Sequence, residues 1–345
     1  MAPKITVLMS VYNGERFLRE AIDSVLSQTF KDFEFVIYDD CSTDSSRAII
    51  QSYSDPRIVF RANDCNRGLT RNLIDGVVRS SAVYIARMDA DDIAEKDRLA
   101  QQVAYMDSHL DVGFLGSNVR MFDGNGRSFC TDEPVDDQTI KCKLVLAFSL
   151  IHPTLMMRVS DLRKYNLNYC EDYRCSQDHD LYLRALPYVK MANLKAALVR
   201  MRNHEHRITC AKKGTQVECS NRARRMFFAK LGLEGAFTEE ELAAYQLIAA
   251  YDFPENETVV LAYESFVEKV QKGLGKYVPA STLRMVAAQH ASCLAMRYLR
   301  TRRFYKASVA FLGTSLAARC DRGVMAKFKL WLKLTLIKMQ LLPLV

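Results

Sequence analysis

The sequence predicts an α/β protein: a mostly parallel sheet with helices on both faces, followed by an all-helical C-terminal region. Three observations carry this. Short runs rich in β-branched residues, without polar alternation, recur through the first half, as expected of strands buried on both faces. Segments of helical period separate them, and alternation of these lengths implies a parallel sheet with helices on both faces. From about residue 211 onward every periodic stretch reads as helix.

The first strand is "ITVLMSVY" (5–12) and the second "FEFVIYD" (33–39). Between them Leu18, Ala21, Ile22, Val25 and Leu26 recur at i, i+3, i+4, i+7 and i+8, one apolar helical face. A helix over about 44–53, a strand "RIVFRA" (57–62), a helix carrying Leu69, Leu73, Ile74 and Val77, and a strand "AVYIARMD" (82–89) continue the alternation. A helix over 95–108 and a strand over 112–122 follow, and "DGNG" (123–126) signals a turn. Residues 127–210 are mixed: a helix near 137–148, a strand around 154–159, a helix from "SQDHDLYLRAL" and a strand near 196–202. Phe253-Pro254, Gly273/Gly275, Val278-Pro279 and Gly313 punctuate the helical remainder, and the expected domain boundary lies near 210.

Composition narrows the function. The 345 residues are 49% hydrophobic and 26% charged, the balance of an ordinary globular chain with room for a large core. None of the ten cysteines forms a C-x-x-C pair, which argues against a zinc ribbon or a redox motif. With no export signal in "MAPKITVLMSVYN", free thiols favour a reducing, cytoplasmic setting. The net charge of +8 is uneven: residues 291–345 hold eleven Lys/Arg and one acid, Asp321, so this segment carries +10 and the remainder −2. An anionic partner is therefore implied at the C-terminal end alone, which argues against a nucleic-acid-binding protein.

Acids gather where strands end. Asp89, Asp91 and Asp92 follow "YIARM", and like charges so close repel one another. A divalent cation bridging carboxylates and a diphosphate would relieve that repulsion. Asp92, three residues before Glu95, also suits a helix cap. In "YDDCSTD", Ser42, Thr43 and Asp44 are helix-capping types, which leaves Asp39 and Asp40 at the carboxyl edge of the sheet, where ligands of such folds bind. A carboxylate there can accept from a pyrimidine N3–H. A nucleotidyltransferase would also place two acids in such a crevice, but "SVYNGERF" is not a phosphate-wrapping glycine loop.

Taken together, "VLMSVYNGERFLREAIDSVLSQTFKDFEFVIYDDCSTDSS", "NRGLTRN", "YIARMDADDIAEKDRL", "IHPTLMMR", "SQDHDLYLR" and "RNHEHRIT" resemble the inverting family 2 glycosyltransferases of GT-A fold. The likeness is strongest to bacterial enzymes that build lipopolysaccharide, lipooligosaccharide and capsule chains. Six motifs occur in the family's order over residues 4–210, so the resemblance assigns 1–210 to a GT-A domain and leaves 211–318 as a helical region.

The resemblance implies a uridine pocket of Ser10, Tyr12, Asp40 and Arg71, with Asp40 on the uracil imide and Tyr12 against the base. It places Asp89 near ribose and metal and makes Asp91 the ligand of Mn²⁺ or Mg²⁺. His204, with His206 as its rival, matches a metal or diphosphate ligand, and an imidazole favours Mn²⁺. His152 is expected to line the acceptor side. Two acidic pairs, Glu171/Asp172 and Gln177/Asp178, compete for the general base. By position relative to "DLYLR" the resemblance selects Asp178, with Glu171 a structural acid and Gln177 replacing the family's usual Glu. His179 beside the base would point elsewhere. The implied reaction moves GlcNAc, GalNAc, Gal or Glc from a UDP-sugar to a hydroxyl of a lipid-linked or lipooligosaccharide acceptor, by single displacement with inversion.

The last segment has its own logic. Over 319–342, Val324, Met325, Phe328, Trp331, Leu332, Leu336, Met339 and Leu342 share one helical side, and Arg319, Arg322, Lys327, Lys329, Lys333 and Lys338 the other. A basic amphipathic helix bearing the chain's single Trp is expected to lie on the anionic inner face of the cytoplasmic membrane, the alternative being a helix packed on the core with its basic face outward, and its four lysines within 324–342 speak against a span.

Overall fold

A computed structural model of the chain describes residues 2–204, 213–249 and 258–289. The expected boundary at 210, His206 and the basic helix over 319–345 lie outside the described residues. Among the described residues no helix is long and apolar enough to cross a membrane.

The described residues form two compact units, the first comprising the chain to Ile140 with Phe148–Ala223, the second Lys141–Ala147 with residues from Arg224 onward. The first unit opens with β1 (Ile5–Val11), α1 (Glu15–Leu26), β2 (Phe33–Asp39), α2 (Ser46–Gln51), β3 (Ile58–Ala62), α3 (Leu69–Arg79) and β4 (Tyr84–Asp89). Then come β5 (Ile93–Ala94), α4 (Arg98–Ser108), β6 (Val112–Asp123), β7 (Ser128–Cys130) and α5 (Asp137–Leu146). A 3₁₀ turn (His152–Thr154), β8 (Met156–Arg158), α6 (Val159–Lys164), α7 (Gln177–Ala185), β9 (Lys190–Asn203) and α8 (Lys213–Lys230) follow. One sheet holds all nine strands of the described residues in the order β3-β2-β1-β4-β8-β6-β9-β5, with β7 paired to β6.

The strands β3, β2, β1 and β4 are mutually parallel, as expected from the alternation. Past β4 the sheet is mixed: β8 runs antiparallel to both β4 and β6, while β6 and β9 are parallel. The chain moves outward from β1 through β2 to β3, then returns to place β4 on the far side of β1. The strand order therefore reverses between β1 and β4, and in open α/β sheets that reversal opens a crevice at the carboxyl ends.

Helices cover both faces. On one, Leu18, Ile22 and Val25 of α1, Ile50 of α2 and Leu99, Val103 and Met106 of α4 pack on Val7, Met9, Phe35, Ile37 and Met88. On the other, α3 crosses β1 so closely that a Cβ on Gly76 would fall 2.4 Å from a methyl of Leu8. Only a glycine permits that approach.

Several boundaries differ from expectation for physical reasons. Helix α4 starts at Arg98, not 95, because Ile93 and Ala94 pair with Arg200 and Val199 of β9 as a short antiparallel strand. Strand β9 starts at Lys190, six residues earlier than the sequence indicates. Its register against β6 shifts around Ser117–Val119, and such irregularity erases the period-2 signal. Helix α6 was not expected; the predicted strand over 154–159 shrinks to three residues, and Val159 opens the helix.

The second unit is helical where described, with α9 (Glu239–Ala249) and α10 (Thr258–Leu274). Thr238 and Glu241 form a reciprocal capping box: the Thr238 N–H donates to Glu241 Oε2 at 2.9 Å and the Glu241 N–H to Thr238 Oγ1 at 3.2 Å. Phe228, Phe237, Tyr245 and Phe266 interlock beside it.

Candidate active site

Register places the acids. Ser10 pairs with Asp89 of β4 on one side of β1, and Val11 pairs with Asp39 of β2 on the other. Because the three strands are parallel and level, Ser10, Tyr12, Asp40 and Asp89 come to one edge of the sheet.

On the β2 side Asp40 is a hub. Its Oδ1 accepts from Asn63 Nδ2 at 2.8 Å and the Arg67 N–H at 2.9 Å, and its Oδ2 accepts from the Gly68 N–H at 2.8 Å. Gly68 adopts φ +85°, a left-handed conformation that aims its N–H back at the carboxylate. Asn63 also donates to Asn72 Oδ1 at 2.7 Å, and Asn72 Nδ2 donates to Ser10 Oγ at 2.9 Å. A buried relay thus links the ends of β1, β2 and β3 to the first turn of α3. A carboxylate offers about four acceptor positions, and Asp40 spends three on the fold. Asp39 serves the fold as well, accepting from Arg47 Nε at 2.9 Å and the Ser42 N–H at 3.1 Å. Tyr12 is 52% exposed at the rim. Arg71 forms a bidentate pair with Glu171, at 3.0 and 2.7 Å, with both side chains about half exposed.

On the β4 side, Asp89, Asp91 and Asp92 bring one carboxylate oxygen each within 4.8 Å of one another. Three residues hold them. Arg87, buried in β4, donates to Asp89 Oδ1. The end of β9 secures the other two: the Arg202 N–H donates to Asp92 Oδ1 at 2.9 Å, Arg202 Nε to the Asp91 carbonyl at 3.2 Å and His204 Nε2 to Asp91 Oδ2 at 2.9 Å. Arg202 lies over the rings of Phe17 and Phe122, which fixes its plane. Asp92 is buried, and Asp97 rather than Asp92 precedes the first turn of α4. Asp91 and His204 lie 2.9 Å apart, and these part-exposed groups with Asp89 form a donor set of carboxylates and imidazole that fits Mn²⁺ or Mg²⁺.

Asp178 is the second residue of α7. It keeps some accessible surface, but its carboxyl sits deep among protein atoms, and that desolvation pushes its pKa up to about 6. Its own N–H and that of His179 pull it down, the charge of Asp89 raises it and Arg87 lowers it. Nearby, His152 Nε2 shares a hydrogen bond of 2.9 Å with the Tyr169 hydroxyl. Burial, then the Arg87 charge, lower the His152 pKa to about 3, so it is neutral at physiological pH. The rival acids lie in the open: Glu171 is engaged by Arg71, and Asp172 stands 3.6 Å from Arg222 with 69% of its side chain exposed.

The family model "Glycosyl transferase family 2" matches residues 6–165. The putative glycosyltransferase EpsE of Bacillus subtilis is 34% identical over 206 residues, spanning 58% of this chain and 73% of its own. The chain belongs to glycosyltransferase family 2. Other relatives agree. An uncharacterized glycosyltransferase of Methanocaldococcus jannaschii is 36% identical, over 53% of this chain and 65% of that relative's length. The O-antigen biosynthesis glycosyltransferase WbnJ of Escherichia coli is 29% identical, over 66% of this chain and 89% of its own. Among solved structures, S. aureus TarS 1–349 in complex with UDP-GlcNAc superposes with a TM-score of 0.59 at 18% identity, covering 95% of this chain and 92% of that one, which bears on fold alone.

In this family 2 chain, sequence reasoning missed the residues that hold the acids in place. Asn72 closes the quoted "NRGLTRN" and Asn63 lies three residues before it, but neither carries a local signal of the relay. Arg87 and Arg98 are charged residues on otherwise apolar faces, a signal that was available. Tyr169 carried no signal. If the Asn63–Asn72 relay organises the sheet edge, Asn72→Ala should destabilise the protein by about 1–3 kcal/mol, the penalty of leaving buried partners unsatisfied. Urea denaturation measures this, and a change under about 0.5 kcal/mol, the scale of an ordinary surface substitution, would show that the relay is incidental.

Proposed function

We infer that the protein is an inverting glycosyltransferase that moves a hexosyl or N-acetylhexosaminyl group from a UDP-sugar to a hydroxyl of a lipid-linked or lipooligosaccharide acceptor. One observation carries the reading: an acid set suited to a diphosphate-bound cation lies at the topological switch of the sheet, and a carboxyl with a raised pKa lies within the field of Asp89. TarS, solved with UDP-GlcNAc, and WbnJ, named for O-antigen biosynthesis, support the donor and acceptor classes.

In this account Asp40 and Tyr12 receive the uracil, with Ser10 beside them. Arg71 joins the nucleotide when it leaves Glu171. Asp89 and Asp91, with His204, would hold Mn²⁺ or Mg²⁺, which when bound supplies positive charge to the departing diphosphate. Asp178 takes the proton of the acceptor hydroxyl as that oxygen attacks the anomeric carbon from the face opposite the nucleotide. Near neutral pH a group with pKa about 6 is ionised and still basic enough to accept. His152, held neutral, adds no positive charge that would weaken the base.

Turnover of a panel of UDP-sugars, with water as acceptor, tests this. The rate should rise as Asp178 loses its proton, so the acid limb should centre near pH 6 and fall about tenfold per unit below it. Asp178→Asn should lose about 10²-fold or more with UDP affinity retained. A dead Asp172→Asn beside an active Asp178→Asn would reverse the assignment.

The segment 319–345 supports a seat on the cytoplasmic membrane face through its basic and apolar sides. Each basic residue near an anionic leaflet contributes about 1 kcal/mol. The full chain should float with anionic vesicles and release in high salt, while a chain ending at Arg319 should not float; flotation of the shortened chain would remove this role.

A further inference from the structure

The base helix α7 starts from an unusual residue. Ser176, just before it, adopts φ +55°, a left-handed conformation uncommon outside glycine and asparagine. Two contacts hold it there: its carbonyl accepts from the Asp180 N–H at 3.1 Å, and its Oγ donates to the Gln216 carbonyl of α8 at 3.0 Å. One position beyond Asp178, His179 is fully buried, and its Nδ1 shares a 2.7 Å hydrogen bond with Ser220 Oγ, one turn further along α8. The Phe148 ring packs on His179 at 4.8 Å. Arg222 of α8 also reaches the Asp172 carbonyl, at 3.3 Å, in the loop leading to α7.

Successive helical residues point about 100° apart, so fixing His179 on α8 fixes where Asp178 points. Resting on the reading of Asp178 as general base, we propose that His179 and Ser220 are positioning residues: their hydrogen bond sets the rotation of α7 and so aims the Asp178 carboxylate at the acceptor oxygen. Proton abstraction needs a heavy-atom separation of about 2.6–3.2 Å, and a misplacement of about 1 Å can cost up to 10²-fold in rate. Both residues are buried. Both lie beyond residue 165, where the match to the family model ends.

Ser220→Ala removes one hydroxyl and leaves the packing volume nearly unchanged. With the UDP-sugar that the native chain turns over fastest, it should lower kcat about tenfold, an intermediate misalignment, and leave donor KM within about twofold. Ser220→Thr, which keeps the hydroxyl, should recover most of that loss. An unchanged kcat in Ser220→Ala, a parallel loss of kcat and donor affinity, or a Thr variant no better than Ala would each overturn the positioning role. Asp178→Asn run alongside separates the two readings. If it is inactive while Ser220→Ala is native-like, only the positioning role fails; if it is as active as the native chain, the base assignment fails and the positioning role goes with it.

Discussion

Three carboxylates held within 4.8 Å repel one another, and the fold spends much of its buried polarity on keeping them together. Arg87 lies inside β4, where an unpaired guanidinium would be strongly penalised, and its contact with Asp89 compensates part of that cost. Arg98 is buried just behind, donating to the Arg87 carbonyl at 2.7 Å. Its pKa is lowered to about 9 by burial and then by Arg87, which leaves it a cation at neutral pH. From across the sheet, β9 returns Arg202 and His204 to Asp92 and Asp91. The acids are thus buttressed from behind and from one side, and Asp89 and Asp91 stay part-exposed where a ligand would arrive.

The same economy governs the two flanks. On the β2 side, Asp40 is an anion satisfied mainly by the protein, so a ligand would meet a prearranged oxygen rather than a mobile one. On the α7 side, the carboxyl of Asp178 is kept from full solvation and lies in the fields of Asp89 and Arg87. Charge changes at the acid cluster are therefore felt at the proposed base without direct contact. The exposed Arg71–Glu171 pair contributes little to stability, as surface ion pairs do, and can exchange partners at small cost.

What was legible in the sequence follows from how local each signal is. Buried parallel strands and their intervening helices announce themselves within a dozen residues, so β1 to β4 and their helices were readable almost to the residue. The strand-end acids were readable too, because three aspartates after an apolar run have few ordinary explanations. The partners of those acids were not. Arg202 lies 110 residues from Asp92 and Asn63 lies 23 from Asp40, and no local pattern reports a contact that the tertiary fold creates. Asp92 shows the consequence: its spacing to Glu95 suggested a cap, while the structure uses it to anchor β9.

The account stands on the claim that the acid cluster and the Asp40 hub receive the two ends of one metal-bound uridine diphosphate. Calorimetric titration of UDP into the full chain with Mn²⁺, repeated with EDTA, tests it most directly. The account predicts saturable binding with Mn²⁺ that weakens about tenfold or more in EDTA and in Asp91→Asn, roughly the 1.4 kcal/mol or more expected for losing one charge-assisted contact. Equal affinity under both conditions, or no binding of UDP at all, would contradict it.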